Sequence, residues 1–222
     1  MRDSIKSLLQ KPLFTGIEFF ILCIALPSWI IYSRSGTFMF SFLWGACLYC
    51  IIIYRLCYFK THKDLWHWNA VTKDNMHPII IRWVLASIAM LAFTLFYDPE
   101  RLFYIPLQRP QIIPALLIAY PLISALPQEF IFCSFFFRRY ESFFGKARLM
   151  IFASAIIFAY AHILYINPVA PTLGFIGGLI FATTYFKTKS LALVTIEHGL
   201  YGNSLFLIGL GWYFYSGSIA AQ

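Results

Sequence analysis

Three residues in this sequence have the types that activate water, and each stands inside an apolar run. Glu129 follows Pro127 and Gln128, precedes Phe130-Ile131-Phe132-Cys133-Ser134-Phe135-Phe136-Phe137, and lies nine residues before Arg138. His162 and His198 sit in two later apolar runs. An ionisable residue in lipid costs roughly 2.5–3.5 kcal/mol on insertion scales, so it needs a partner or a function. A buried carboxylate with two buried imidazoles can take a proton from water, or can supply the ligands of a metal ion that activates it. Singly, each has a plainer reading: a hydrogen-bonded packing histidine, or a glutamate paired with Arg138 or Arg139. Three of them on successive apolar runs favour a catalytic or ligand site.

The elements that must position them are membrane helices. Hydrophobic residues make up 60% of the 222, aromatic residues 20% and charged residues only 12%. Such a chain has too little polarity to cover itself in water, which excludes an ordinary soluble surface and makes it an all-α polytopic membrane bundle. The net charge of +8 comes from short basic clusters between apolar runs. That is how topology is written, so no nucleic-acid partner is expected. The five cysteines all fall in apolar runs. Cys47 and Cys50 share a helix face, but no second pair completes a zinc site, so packing is their expected role. No cleavable signal peptide is expected, because the first apolar run is too long for one.

Hydropathy predicts seven spans: about Pro12–Tyr32, Thr37–Phe59, Pro78–Tyr97, Gln111–Phe137, Leu149–Tyr165, Val169–Phe186 and Leu191–Tyr215. Residues 1–110 form a three-span region and 111–222 a four-span region carrying the motifs, within a single membrane domain. Pro114, Pro121 and Pro127 predict kinks or a break in the fourth span. Gly174, Gly177 and Gly178 give the sixth a small face for close helix contact. Thirteen lysines and arginines fall at one set of span ends, and three (Arg34, Arg101, Arg109) at the other; Arg82 lies in the third span, near enough to its start to snorkel. This places the amino terminus in the cytoplasm and the carboxyl terminus outside.

Helix rise then gives depth. Glu129 is nine residues from Arg138 and His198 nine from Lys189, each about 13 Å from its basic anchor. His162 is fourteen from Arg148, about 21 Å, deeper by a little over one turn. Other protease signatures are missing. There is no His-Glu-x-x-His, no Gly-x-Ser-x-Gly and no intramembrane aspartate pair.

At these residues the chain resembles the CPBP family of intramembrane endopeptidases, the type II CAAX prenyl proteases and bacteriocin-processing enzymes. That family carries Glu-Glu-x-x-x-Arg, then Phe-x-x-x-His, then His-x-x-x-Asn. Here the motifs read Gln128-Glu129-Phe130-Ile131-Phe132-Cys133, Phe158-Ala159-Tyr160-Ala161-His162, and His198-Gly199-Leu200-Tyr201-Gly202-Asn203. The likeness runs from about Gln111 to Trp212. Gln128 replaces the first glutamate and Cys133 the arginine. Asn203 comes one place late, about 100° round the helix from the expected direction unless Gly202 permits a bulge.

The resemblance implies an intramembrane endopeptidase. Glu129 would act as general base on a water, with His162 and His198 holding the water or stabilising the oxyanion, and Asn203 giving a further hydrogen bond. The implied partners are the lipid bilayer and a membrane-anchored or lipid-modified protein or peptide substrate. The alternative is a catalytically inactive relative acting as a membrane binding or immunity protein. Glu129, His162 and His198 also have the ligand types of a His₂Glu zinc site. Metal-binding histidines need partners that fix their tautomers, and Glu197 is the spare acid nearby. The expectation is therefore no cofactor, with Zn²⁺ as the alternative. The location expected is a multi-pass protein of a bacterial inner membrane.

Overall fold

The computed structural model describes residues 2–58, 64–145 and 148–214, without the side chains of residues 2–5. Seven helices are long and apolar enough to span a bilayer: α1 (Pro12–Tyr32), α2 (Gly36–Cys57), α3 (Lys73–Tyr97), α4 (Pro110–Arg139), α5 (Arg148–Tyr165), α6 (Val169–Thr188) and α7 (Leu191–Ile208). No strand occurs among the described residues. The protein is an all-α, integral multi-pass membrane protein, since helices satisfy their own backbone groups where water is excluded. Lys60, Lys63 and Lys146, three of the basic anchors, lie outside the described residues, as do Phe59 and Tyr215 at expected span ends.

Burial shows which helix is central. Two-thirds of the apolar window of α7 is buried (67%), against 17% for α3. The helices around α7 therefore leave wide apolar faces outward for lipid, and α7 carries the polar residues that need shelter. Helices α5 and α6 approach closely where Gly178 meets the backbone of Ala155.

Two spans have bounds other than those expected, and a third passes its prolines unbroken. Helix α3 starts at Lys73 rather than Pro78, capped by Thr72, whose hydroxyl accepts from the Asn75 N–H at 3.4 Å. Helix α4 neither breaks nor ends at its prolines. It runs on through two widened π-helical turns, Tyr120–Ala125 and Phe130–Phe135, on either side of Pro127 and Glu129. Helix α7 stops at Ile208, well short of Tyr215. Gly209 takes φ 127°, and a Cβ there would overlap the carbonyl of Arg101. The apolar stretch Leu210–Phe214 then forms a 3-10 turn. Tyr213 donates to Asp98 (2.7 Å) and Arg101 lies 3.9 Å over the Trp212 ring, which hold that turn beneath the bundle.

Two arginines are placed otherwise than as simple anchors. Arg139 is buried and pairs with Glu18 of α1, donating from Nε at 2.7 Å and from Nη2 at 2.9 Å. It also donates to the Tyr58 hydroxyl (3.2 Å) and the Leu9 carbonyl (2.7 Å), while Tyr49 donates to Glu18 at 2.7 Å. This network ties α1, α2 and the lead-in helix Arg2–Leu9 to the end of α4. Arg82 turns inward, donating to Glu197 at 2.8 Å and to Thr184 at 3.2 Å.

Candidate active site

Glu129 stands on α4 between the two widened turns and is 1% exposed. Its Oε1 accepts from Nδ1–H of His198 on α7 at 2.7 Å. That bond fixes the imidazole tautomer and leaves Nε2 to the Tyr120 hydroxyl, which donates to it at 2.9 Å. The three side chains form one line, Tyr120 to His198 to Glu129, joining α4 to α7 and back. Phe181 of α6 stacks on the His198 ring (centroids 4.5 Å, planes 17°), and Phe158 of α5 meets it edge-on at 5.8 Å. The ring is therefore held by packing as well as by hydrogen bonds.

His162 ends the α-helical part of α5. Its Nδ1–H donates to the Phe158 carbonyl one turn back at 2.7 Å, so Nε2 is left with its lone pair. The ring lies 4.5 Å from that of Phe158, centroid to centroid. Phe158, one turn before His162, also meets the His198 ring, so the two histidines flank the same aromatic ring. On α6, Gly174 makes room, since a Cβ there would come within 3.2 Å of the His162 ring.

A cavity of about 620 Å³ opens beside these residues, walled by Tyr120, Gln128, His162, His198 and Tyr201 among apolar side chains of α3 and α6. A second, of about 230 Å³, lies between α1, α2 and α4 and shares Ser124, Gln128 and His162 with the first. Glu129 lines neither. It sits behind His198, while Gln128, its neighbour in sequence, faces both chambers.

Two sequence expectations meet a different arrangement. No bulge forms at Gly202, where α7 is regular helix. Asn203 therefore faces α4, donating to the Leu117 carbonyl at 3.2 Å, and it lines neither cavity. Glu197, expected as the spare acid for the histidines, is fully buried and taken by Arg82. The tautomers are fixed instead by Glu129 and by the Phe158 carbonyl. Cys133, at the arginine position of the motif, is buried one turn from Glu129, and all five cysteines are free thiols. Among the described residues no three of His, Cys, Asp and Glu gather as a ligand set.

Tyr120 escaped the sequence reading. Its signal was faint: a hydroxyl nine residues before Glu129, next to a proline in an apolar run. Gly202 explains its position. A Cβ on Gly202 would overlap the Tyr120 ring, so this glycine admits the tyrosine to His198 rather than bending α7.

What the arrangement can do follows from its donors and acceptors. The His162 Nε2 is a base facing a cavity. The His198 ring, with a carboxylate behind it, can carry a second proton that the Glu129 charge balances. With that proton, Nε2–H donates to the Tyr120 oxygen and frees the Tyr120 O–H to donate into the cavity. A base and a donor across an apolar chamber are the parts needed for hydrolysis of a carbonyl compound. No curated protein and no solved structure matches this chain. Over residues 110–203, the stretch holding Tyr120, Gln128, Glu129, His162 and His198, the chain matches the family described as Type II CAAX prenyl endopeptidase Rce1-like.

Proposed function

We propose that this protein is an intramembrane endopeptidase that hydrolyses a peptide bond in a membrane-anchored or lipid-modified protein or peptide. The observation that carries the reading is the 2.7 Å bond from His198 to the buried Glu129, made on the wall of a cavity that His162 also faces. Two largely apolar chambers that share His162 in their walls suit a substrate that is itself apolar on both sides of the scissile bond.

In this reading His162 takes a proton from water at Nε2 as the water oxygen attacks the substrate carbonyl. Charge then develops on the carbonyl oxygen, and the Tyr120 hydroxyl, oriented through His198 and Glu129, donates to it. Collapse of the tetrahedral intermediate breaks the C–N bond, and His162 returns its proton to the leaving nitrogen. Glu129 thus serves the reaction through His198, as the charge that lets the ring hold its proton, rather than by touching the water. Asn203, facing Leu117, supports the α4–α7 contact. In this reading the site works without a bound metal, because Glu129 is engaged at His198 Nδ1 and the His198 Nε2 is taken by Tyr120, which leaves the lone pair of His162 Nε2 by itself.

A cleavage assay in membranes, wild type against Glu129→Ala, tests this. Cleavage by the wild type, lost in the variant and unaffected by exhaustive chelation, is the expected result. Zinc-restored activity after chelator loss would make the histidines metal ligands. A second reading, a non-catalytic binding or immunity protein, draws on Gln128: no carboxylate lines either chamber. Intact substrate with the wild type, under conditions where it binds, favours that one.

A further inference from the structure

Phe214 packs against His162, although it belongs to no spanning helix. The residues that both cavities share in their walls lie on α2, α4, α5 and α7, apart from Phe214, which ends the turn Leu210–Phe214. Its ring meets that of His162 at 5.6 Å between centroids, with the planes at 68°, and that of Tyr165 at 5.6 Å.

The turn that carries this ring is fastened from two sides. From the α3–α4 connection, Asp98 accepts from the Tyr213 hydroxyl at 2.7 Å, and Arg101 lies 3.9 Å over the Trp212 ring. From the α5–α6 connection, Asn167 donates from Nδ2 to the Tyr213 carbonyl at 2.9 Å, while its Oδ1 accepts from the Ala170 N–H at 2.9 Å. Both the side chain and the carbonyl of Tyr213 are therefore held, immediately before Phe214. A side chain whose supporting backbone is held in this way makes a firm wall, which discrimination by size requires. A loosely tied ring would yield to a larger group and select nothing.

We propose that Phe214 is a specificity-determining residue that limits the size of the apolar substrate group beside His162, an inference that rests on the hydrolase reading above. In that reading His162 takes a proton from the attacking water. A ring packed against His162 therefore stands next to the residues that flank the scissile bond. Phe214 moves no proton; it excludes bulk. In an apolar pocket one methylene more or less is worth about 10–200-fold in discrimination, so a whole phenyl ring in the wall is ample for selection.

The test uses the full chain in lipid nanodiscs and two membrane-anchored peptides, identical except for alanine or phenylalanine at the positions flanking the scissile bond. Cleavage is followed with active protein, and binding in a Glu129→Ala background. The wild type should prefer the alanine peptide. Phe214→Ala should shift the ratio of kcat/KM toward the phenylalanine peptide by about 10-fold or more, chiefly through KM. Tyr213→Phe removes a tether of the turn and no part of the wall, and should shift the ratio the same way by less. Should the alanine variant not fold, Phe214→Leu should give an intermediate shift. Equal losses for both peptides would make Phe214 a mere support of His162, which overturns the inference and leaves the hydrolase reading in place. A wild type that cleaves neither peptide, with a binding preference that shifts as above, keeps the selection by size and overturns the hydrolase reading. A wild type that neither cleaves nor binds either peptide overturns both.

Discussion

Oε1 of Glu129 and Nδ1 of His198, 69 residues apart in the chain, lie 2.7 Å apart in the buried centre of the bundle. The bond sets the tautomer of His198 and, through it, the direction of the Tyr120 hydroxyl. Glu129→Gln preserves the shape and an acceptor for Nδ1–H but removes the balancing charge. Cleavage should fall by up to about 10⁴-fold, the loss seen when a carboxylate behind a catalytic histidine becomes an amide. Thermal unfolding should move little. Undiminished cleavage by Glu129→Gln would show that the charge has no part in the reaction.

Tyr120 and Asn203 compete for the role of oxyanion donor. Tyr120 lines the main cavity and bonds His198, whereas Asn203 bonds Leu117. Tyr120→Phe should raise the barrier by about 2.7–4 kcal/mol, the usual loss for one such donor. Asn203→Ala should cost much less, and should act on stability through the α4–α7 contact. The reverse order of effects in kcat would return the role to Asn203.

Gly202→Ala removes no functional group, yet its Cβ would overlap the Tyr120 ring. Overpacking of this kind costs about 1–3 kcal/mol, and here it should also displace the hydroxyl from His198. The same change in a Tyr120→Ala background should be nearly neutral to stability. Two additive losses would mean that the residues do not touch.

Glu18 and Arg139 form the buried ion pair that fastens α1 to the end of α4. Glu18→Leu alone leaves the guanidinium uncompensated and should destabilise the protein by about 3–5 kcal/mol in detergent unfolding. Replacing both residues by leucine should recover much of that loss. A double variant no more stable than the single one would assign the cost to packing instead of charge.

Orientation follows from the basic residues. A reporter fused after Gln222 should be extracytoplasmic, and one placed in the loop of residues 60–77 cytoplasmic. Both reporters on one side would mean that the spans thread the membrane differently.

The sequence by itself determined the class of the fold and most of the span bounds. Hydropathy over twenty residues answers only to the thickness of the bilayer, so α1, α5 and α6 could be bounded closely without neighbours. It also singled out Glu129, His162 and His198, because a polar group in lipid stands out against its background. Tertiary structure decided the partners. That Arg139 takes Glu18, Arg82 takes Glu197 and Glu129 takes His198 depends on which helix faces meet, and each pair spans 69 to 121 residues. The end of α7 at Gly209 was equally hidden, because an apolar run reads alike whether it crosses the membrane or folds beneath the bundle. Tyr120 shows the limit most plainly. A tyrosine beside a proline in an apolar run is ordinary until a glycine 82 positions later, on another helix, leaves the space that brings it to His198. Such complementarity between helix surfaces is a property of their packing, and no local pattern encodes it.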